Sequence, residues 1–381
     1  VTVVFTKRFT LFRLLGFEVK IDLTWLLLAL LVTWTLARGV FPAYFPGLSA
    51  ETYWWMGIGG TAGLLVSIVF HELCHSLVAR RYGLPIKGIT LFIFGGVAEM
   101  EDEPPSPKAE FLMAVAGPVA SIVLALLLAG AYTTAKQMSL PAAVTGVLYY
   151  LAYLNFLLAV FNLIPAFPLD GGRMLRAALW GWKRDIRWAT RISSAAGSGF
   201  GLALIILAVL AVLQGNFIVG MWWFLIGLFI RTAAGMSYQR LLMQQTLRGE
   251  HVRRFMNASP VTAPRSISLQ QLVEDYIYKH QHKMFPVVDN TTLAGCITTR
   301  DVKAIPREQW ARTTVADVYK PCSGDNTIAA DADALEALSL MTRTGNSRLM
   351  VVERGKLVGI IALKDLLRFL SLKLELDEQR S

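Results

Sequence analysis

Apolar positions are not spread evenly along this chain. Between residues 23 and 235 long apolar runs follow one another, whereas 236–381 reads like an ordinary soluble domain. A bilayer-spanning helix needs about 20 apolar residues. Six runs meet that length: 23–41, 53–79, 109–131, 143–167, 196–214 and 217–235. The change in polarity falls over "MSYQRLLMQQTLRGE", residues 236–250, which reads as a polar helical connector. The pattern predicts a polytopic α-helical membrane domain over 1–235, a linker over 236–250 and a polar region beyond it.

One apolar piece fits no span. "IKGITLFIFGGVAEM", residues 86–100, is β-branched and aromatic, is interrupted by Gly95-Gly96, and is too short for a transmembrane helix. Non-helical backbone at membrane depth is tolerated only where protein or a water-filled cavity covers it. The segment is expected to be a re-entrant strand or hairpin lining a cavity; the alternative is a loop lying on the headgroups.

Composition agrees with the pattern. Hydrophobic residues make up 54% and charged residues 17%, against about 25% charged in a soluble domain. The net charge of +10 does not point to nucleic acid, because the basic residues cluster in short loops beside the spans. Lys7, Arg8, Arg13 and Lys20 precede the first run, Arg80, Arg81 and Lys87 follow the second, and Arg173 to Arg191 hold six more between the fourth and fifth. The positive-inside bias puts both termini and the polar half in the cytoplasm of a multi-pass plasma-membrane protein. Residues 1–20 carry no small-residue cleavage site, so the first run is expected to be retained. Cys74, Cys296 and Cys322 make no disulfide framework.

The second run contains "SIVFHELCHSLVA", residues 67–79. His71 and His75 are four apart, so a helix puts both imidazoles on one face, with Glu72 able to reach a metal-bound water. Ionisable groups inside an apolar span are costly and need a functional reason. A catalytic zinc needs a third protein ligand and an open position. The other histidines, His251, His280 and His282, lie in the polar half, so the third ligand is expected to be a carboxylate. Most acids before residue 236 fall in loops, and Glu110 reads as a first-turn helix acid. Asp170 stands apart at the end of "NFLLAVFNLIPAFPLDGGRM", where Pro165 and Pro168 break the helix and Gly171-Gly172 permits close approach. Cys74 is expected to be a packing residue.

"HELCH", "GITLFIFGGVAEM", "AVAGPVAS" and "FNLIPAFPLDGGR" occur in that order, and together they resemble the site-2 protease family of intramembrane zinc metalloproteases (peptidase family M50). The resemblance covers about residues 10–240. It implies one zinc per chain held by His71, His75 and Asp170, with Glu72 as general base and a transmembrane or membrane-associated protein as substrate. It also implies that Asn162 lies near the zinc and helps hold substrate or oxyanion. No large inserted domain separates the spans, which departs from one branch of the family. A transporter would need symmetry between the halves of its membrane domain. None is seen, and Glu72 would then have no task.

In the polar half, "FPVVDNTTLAGCITTRDVKAI" and "LMVVERGKLVGIIALKDLLRF" superimpose at a constant offset of 64 residues, matching Val287 with Val351, Gly295 with Gly359 and Asp301 with Asp365. Each copy reads as strand, turn, strand, helix, with an apolar helix upstream, a pseudo-symmetric α/β pair. The repeat resembles a tandem of CBS (cystathionine β-synthase) domains, with copies over 251–310 and 311–371 and a polar tail over 372–381. That resemblance implies adenine-nucleotide binding (ATP or AMP) through a Gly, two apolar residues, Ser or Thr, two residues, Asp pattern, and a homodimer or higher oligomer through the pair. Copy one has Gly295, Thr298 and Asp301; copy two has Gly359 and Asp365 but Ala362 in place of the hydroxyl. Copy one is expected to be the competent site.

Overall fold

The structure, a computed structural model, describes residues 8–84, 86–92, 95–100, 103–289 and 292–378. The chain divides into two compact units, one running to Gln239 and the other from Arg240.

The first unit opens with a hairpin, β1 (Arg8–Leu14) and β2 (Phe17–Asp22), turning at Leu15 and Gly16, both with positive φ. Asp22 then caps α1 (Leu23–Thr35), its carboxylate accepting from the Thr24 backbone at 2.9 Å. A π-helical turn leads to the short α2 (Phe41–Tyr44), and α3 (Ala50–Arg81) follows, capped by Ser49. At 32 residues, α3 is about 48 Å long, well beyond a 30 Å hydrocarbon core. The segment expected to be re-entrant forms an antiparallel pair, β3 (Ile86–Phe92) and β4 (Gly95–Met100); residues 93 and 94 lie outside the described residues. The remaining helices are α4 (Pro107–Gln137), α5 (Ala142–Asn162), α6 (Asp170–Lys183), α7 (Ile186–Leu213) and α8 (Phe217–Leu247). Six of the described helical segments are long and apolar enough to cross a membrane. The protein is a multi-pass membrane protein.

Three features depart from the pattern. The fourth run is helical only to Asn162, because Pro165 disfavours helical backbone in the residue before it. The arginine-rich stretch after it is a helix, α6, rather than a loop. The hairpin 8–22 pairs with the later strands, giving one four-stranded sheet in the order β1-β2-β3-β4, with β2 and β3 parallel. In β2 alternate residues Phe17, Val19 and Ile21 are buried. With Ile89 and Leu91 of β3 they pack on Trp25 of α1 and on Ile68, Val69 and Leu73 of α3. That core sets the sheet against the turn of α3 that carries the histidines.

The second unit is a duplicated α/β fold. One sheet has the order β5-β6-β7-β8 (Ala263–Pro264, Met284–Asp289, Thr292–Thr298, Lys320–Pro321). The other has the order β11-β10-β9 (Lys356–Ala362, Arg348–Glu353, Thr327–Ala329). The 64-residue offset is visible in the ladders. Val287 pairs with Gly295 before a bulge shifts Val288 onto Leu293, and Val351 pairs with Gly359 before the same bulge shifts Val352 onto Leu357. Helices follow each hairpin, α10 (Thr299–Lys303) in copy one and α12 (Leu363–Glu378) in copy two. Two more precede them, α9 (Leu269–Gln271, continued by a π-helical stretch to Tyr278) and α11 (Ala334–Thr344). Each copy has its own core, Leu272, Phe285, Val287 and Ile297 in one and Leu349, Val351 and Ile361 in the other. Because Leu349 is fully buried, Leu349→Ala is expected to destabilise this unit by about 2–5 kcal/mol. Thermal unfolding of the detergent-solubilised chain checks this.

Candidate metal centre

His71 and His75 lie on the buried face of α3, both about 95% shielded from solvent. Asp170 reaches them from another direction. It is the first residue of α6, where the positive end of the helix dipole favours a carboxylate. Gly171 and Gly172 let the start of α6 press against the preceding turn, since β-carbons there would overlap the Leu163 and Ile164 carbonyls and the Phe167 backbone. The structure thus brings His71, His75 and Asp170 together. Asp170 Oδ2 is 3.1 Å from each Nε2, and the two Nε2 atoms are 3.1 Å apart.

The outer nitrogens decide what this triangle can hold. His75 Nδ1 lies 2.6 Å from the Met113 carbonyl, which can only accept, so Nδ1 carries a proton and, in the neutral ring, Nε2 presents its lone pair. His71 Nδ1 lies 2.8 Å from Ser121 Oγ. With Ser121 accepting in the same way, three lone-pair-bearing atoms face one another in a buried site. They repel unless a cation lies among them. Zinc with tetrahedral bonds of about 2.0–2.1 Å places ligand atoms roughly 3.3 Å apart, so the donor set fits zinc with a fourth position open.

Two backbone segments crowd the cluster. Gly117 of α4 faces it so closely that a β-carbon would collide with Nε2 of both histidines. Pro118 follows and has no N–H for the Ala114 carbonyl, which opens the helix next to the Met113 carbonyl that holds His75. Gly96 of β4 does the same beside Glu72, where a β-carbon would overlap the Glu72 side chain. The Glu72 carboxylate, half-buried, therefore lies between the metal cluster's helix and the strand at the end of the sheet. Sequence reading passes over Gly117, Ser121 and the Met113 carbonyl as site residues. The available signals are the Gly-Pro pair inside an apolar helix and the "AVAGPVAS" signature that contains it.

Asn162 is engaged within its own helix. Its amide donates to the Leu158 carbonyl of its own helix at 2.9 Å, and no described contact links it to His71, His75 or Asp170. Cys74 is half-buried and lies outside the triangle.

In the second unit, Thr298 caps α10, and the Asp301 carboxylate accepts from the Thr298 N–H at 2.9 Å and from its hydroxyl at 2.5 Å. The other Asp301 oxygen is 2.7 Å from Lys320 Nζ. Burial alone would raise the Asp301 carboxyl, but the Lys320 ammonium and the Thr298 donors outweigh it and hold it below its ordinary range. Asp365 is half-buried in the first turn of α12 with the buried Ala362 three residues before it, so the two copies differ in chemistry as well as in helix length.

Comparison with known proteins gives a consistent account. The model of peptidase family M50 matches residues 59–138 and 128–192, and that of the CBS domain matches 252–307 and 315–372. The chain is 34% identical over 360 residues to the Rip3 protein of Mycobacterium tuberculosis, covering 94% of this chain and 91% of that one. It is 34% identical over 320 residues to zinc metalloprotease MJ0392 of Methanocaldococcus jannaschii, covering 83% and 86%. A solved site-2 protease from the same archaeon shares 29% identity at a TM-score of 0.42, covering 60% of this chain and 94% of that one.

The crowding at Gly117 yields a test. Gly117→Ala is expected to lower metal affinity by at least about 10-fold, as loss of a metal-supporting contact does, while the chain still folds. Elemental analysis of purified protein, alongside thermal unfolding, measures both.

Proposed function

The chain belongs to peptidase family M50, and from that premise we propose that it is an intramembrane zinc metalloprotease that cleaves membrane-embedded or membrane-proximal protein substrates. The observation that carries this reading is the triangle of His71 Nε2, His75 Nε2 and Asp170 Oδ2, with Glu72 one residue from the first of them.

His71, His75 and Asp170 would hold one zinc. Bound there, the metal supplies a Lewis acid that activates water and polarises the scissile carbonyl. The rest of the chemistry belongs to the chain. Met113 and Ser121 keep both imidazoles turned with Nε2 inward. The Glu72 carboxylate takes a proton from the attacking water as the new C–O bond forms, and returns it to the leaving amine as the C–N bond breaks. A helical substrate hides its peptide groups in its own hydrogen bonds, so it must unwind before cleavage. β4 ends the sheet and passes Glu72 at Gly96, and its outer edge can pair with an unwound substrate strand. Asn162, with one amide N–H on the Leu158 carbonyl, keeps a second N–H that could help hold substrate or oxyanion.

The duplicated unit fits a regulatory role in which adenine nucleotide meets Thr298 and Asp301 in copy one, with Asp365 contributing less. It also fits self-association through the pair. The loop charges support both termini on the cytoplasmic side of the plasma membrane.

Glu72→Gln is expected to keep metal and fold yet lower cleavage of a reconstituted transmembrane substrate by at least about 100-fold, the usual size of a lost general base. Turnover equal to wild type would remove Glu72 from the mechanism. For the second unit, calorimetry of the full chain with AMP or ATP is expected to show heat that Asp301→Ala abolishes and Asp365→Ala only reduces. Equal losses, or no heat at all, would leave the pair as a dimerisation or docking module.

A further inference from the structure

The first unit buries a second group of charges close to the metal cluster. Arg176 of α6 is 5% exposed and Glu110 of α4 is fully buried. Arg176 Nε donates to Glu110 Oε1 at 2.6 Å, and its Nη2 lies 2.5 Å from the same oxygen and 3.3 Å from Glu103 Oε2. The guanidinium also sits 5.4 Å from the centre of the Phe167 ring. Among the described residues Glu110 Oε2 has no hydrogen-bond partner.

Stability does not account for such a pair. The desolvation of two buried charges can exceed their attraction, and well-packed apolar replacements are often neutral or stabilising. What the pair joins is more informative. Glu110 lies one helical turn before Met113, whose carbonyl orients His75, and two turns before Gly117, which faces both Nε2 atoms. Arg176 lies on the helix whose first residue is Asp170. Phe167 belongs to the turn that delivers Asp170 and donates its backbone N–H to the Ser193 carbonyl of α7. The pair therefore ties the element that carries the carboxylate to the element that sets the imidazoles.

The leverage is large. Arg176 and Asp170 are about 9 Å apart along the helix axis, so a tilt of about 10° pivoting at Arg176 would move the carboxylate by about 1.6 Å. Metal–ligand distances tolerate only about 0.2 Å.

We infer that Glu110 and Arg176 are positioning residues that fix Asp170 against the two imidazoles and so set the affinity and coordination geometry of the metal. This rests on the reading of His71, His75 and Asp170 as a zinc site, and the test separates the two.

The test is a cobalt(II) titration of the full-length chain in detergent, read by visible ligand-field absorption and paired with thermal unfolding. Wild type is expected to give a four-coordinate spectrum that His71→Ala lacks. Arg176→Met leaves Glu110 buried without its partner, Glu110→Leu leaves Arg176 only the partly exposed Glu103, and each should weaken cobalt binding by about 10-fold or more. The double variant leaves only the partly exposed Glu103 without its partner, so it should unfold at or near the wild-type temperature. It should still bind cobalt about 10-fold more weakly, with a shifted absorption band. Wild-type affinity and spectrum in the double variant would overturn the inference and leave the pair a packing feature. Should the double variant fail to fold, Arg176→Lys carries the test. It keeps the charge without the two-nitrogen fork, and a wild-type spectrum and affinity in it overturn the inference equally. A wild-type chain with no cobalt spectrum would instead bring down the zinc reading, and this inference with it.

Discussion

With both imidazoles neutral and protonated on Nδ1, three lone-pair-bearing atoms lie 3.1 Å from one another and repel unless a cation lies among them, and the first unit is built to hold them there. Each is pinned from behind or below. The Met113 carbonyl and Ser121 hydroxyl fix the imidazoles, and the broken turn before α6 delivers the carboxylate. Polar groups at this depth in an apolar bundle are costly to leave unmatched. The same requirement shapes the backbone around them. Gly117 and Gly96 bring two chain segments to where no side chain fits, one against the imidazoles and one against Glu72.

Much of this centre is legible in the sequence because its parts obey short-range rules. A four-residue spacing puts His71 and His75 on one helical face whatever the rest of the chain does. Asp170 is legible for a different reason, since Pro165, Pro168 and the glycine pair mark a break in an otherwise apolar run. Gly117 is not legible in the same way, because a glycine in an apolar helix reads as packing until the fold brings α4 against α3. Glu110 reads as a first-turn acid, and it does occupy the first turn of α4. Its partner lies 66 residues away, which no local pattern encodes. Helix α6 is hidden because its arginines weigh in the topology count. The β1–β2 hairpin carries a usable signal, since Phe17, Val19 and Ile21 alternate with Glu18 and Lys20. Its pairing with β3 is a long-range event that alternation alone does not specify.

The second unit shows the converse. Its duplication is plain in the sequence, and the matching bulges at Val287/Val288 and Val351/Val352 show that the repeat extends to backbone register. What the repeat conceals is the use already made of its polar residues. Asp301 is engaged by Thr298 and by Lys320, so any ligand that takes the carboxylate must compete with an ammonium 2.7 Å away. Lys320 comes from the connecting strand β8, outside the repeated motif, which is why the motif alone does not reveal it.

On the proposed function, α3 and α6 together would form one zinc site with an open position. X-ray absorption at the zinc edge of the purified, full-length chain tests it most directly. The expected result is a four-coordinate shell of nitrogen and oxygen at about 2.0–2.1 Å, with outer-shell scattering from two imidazoles. A sulfur scatterer near about 2.3 Å, a single imidazole, or no bound zinc would contradict it.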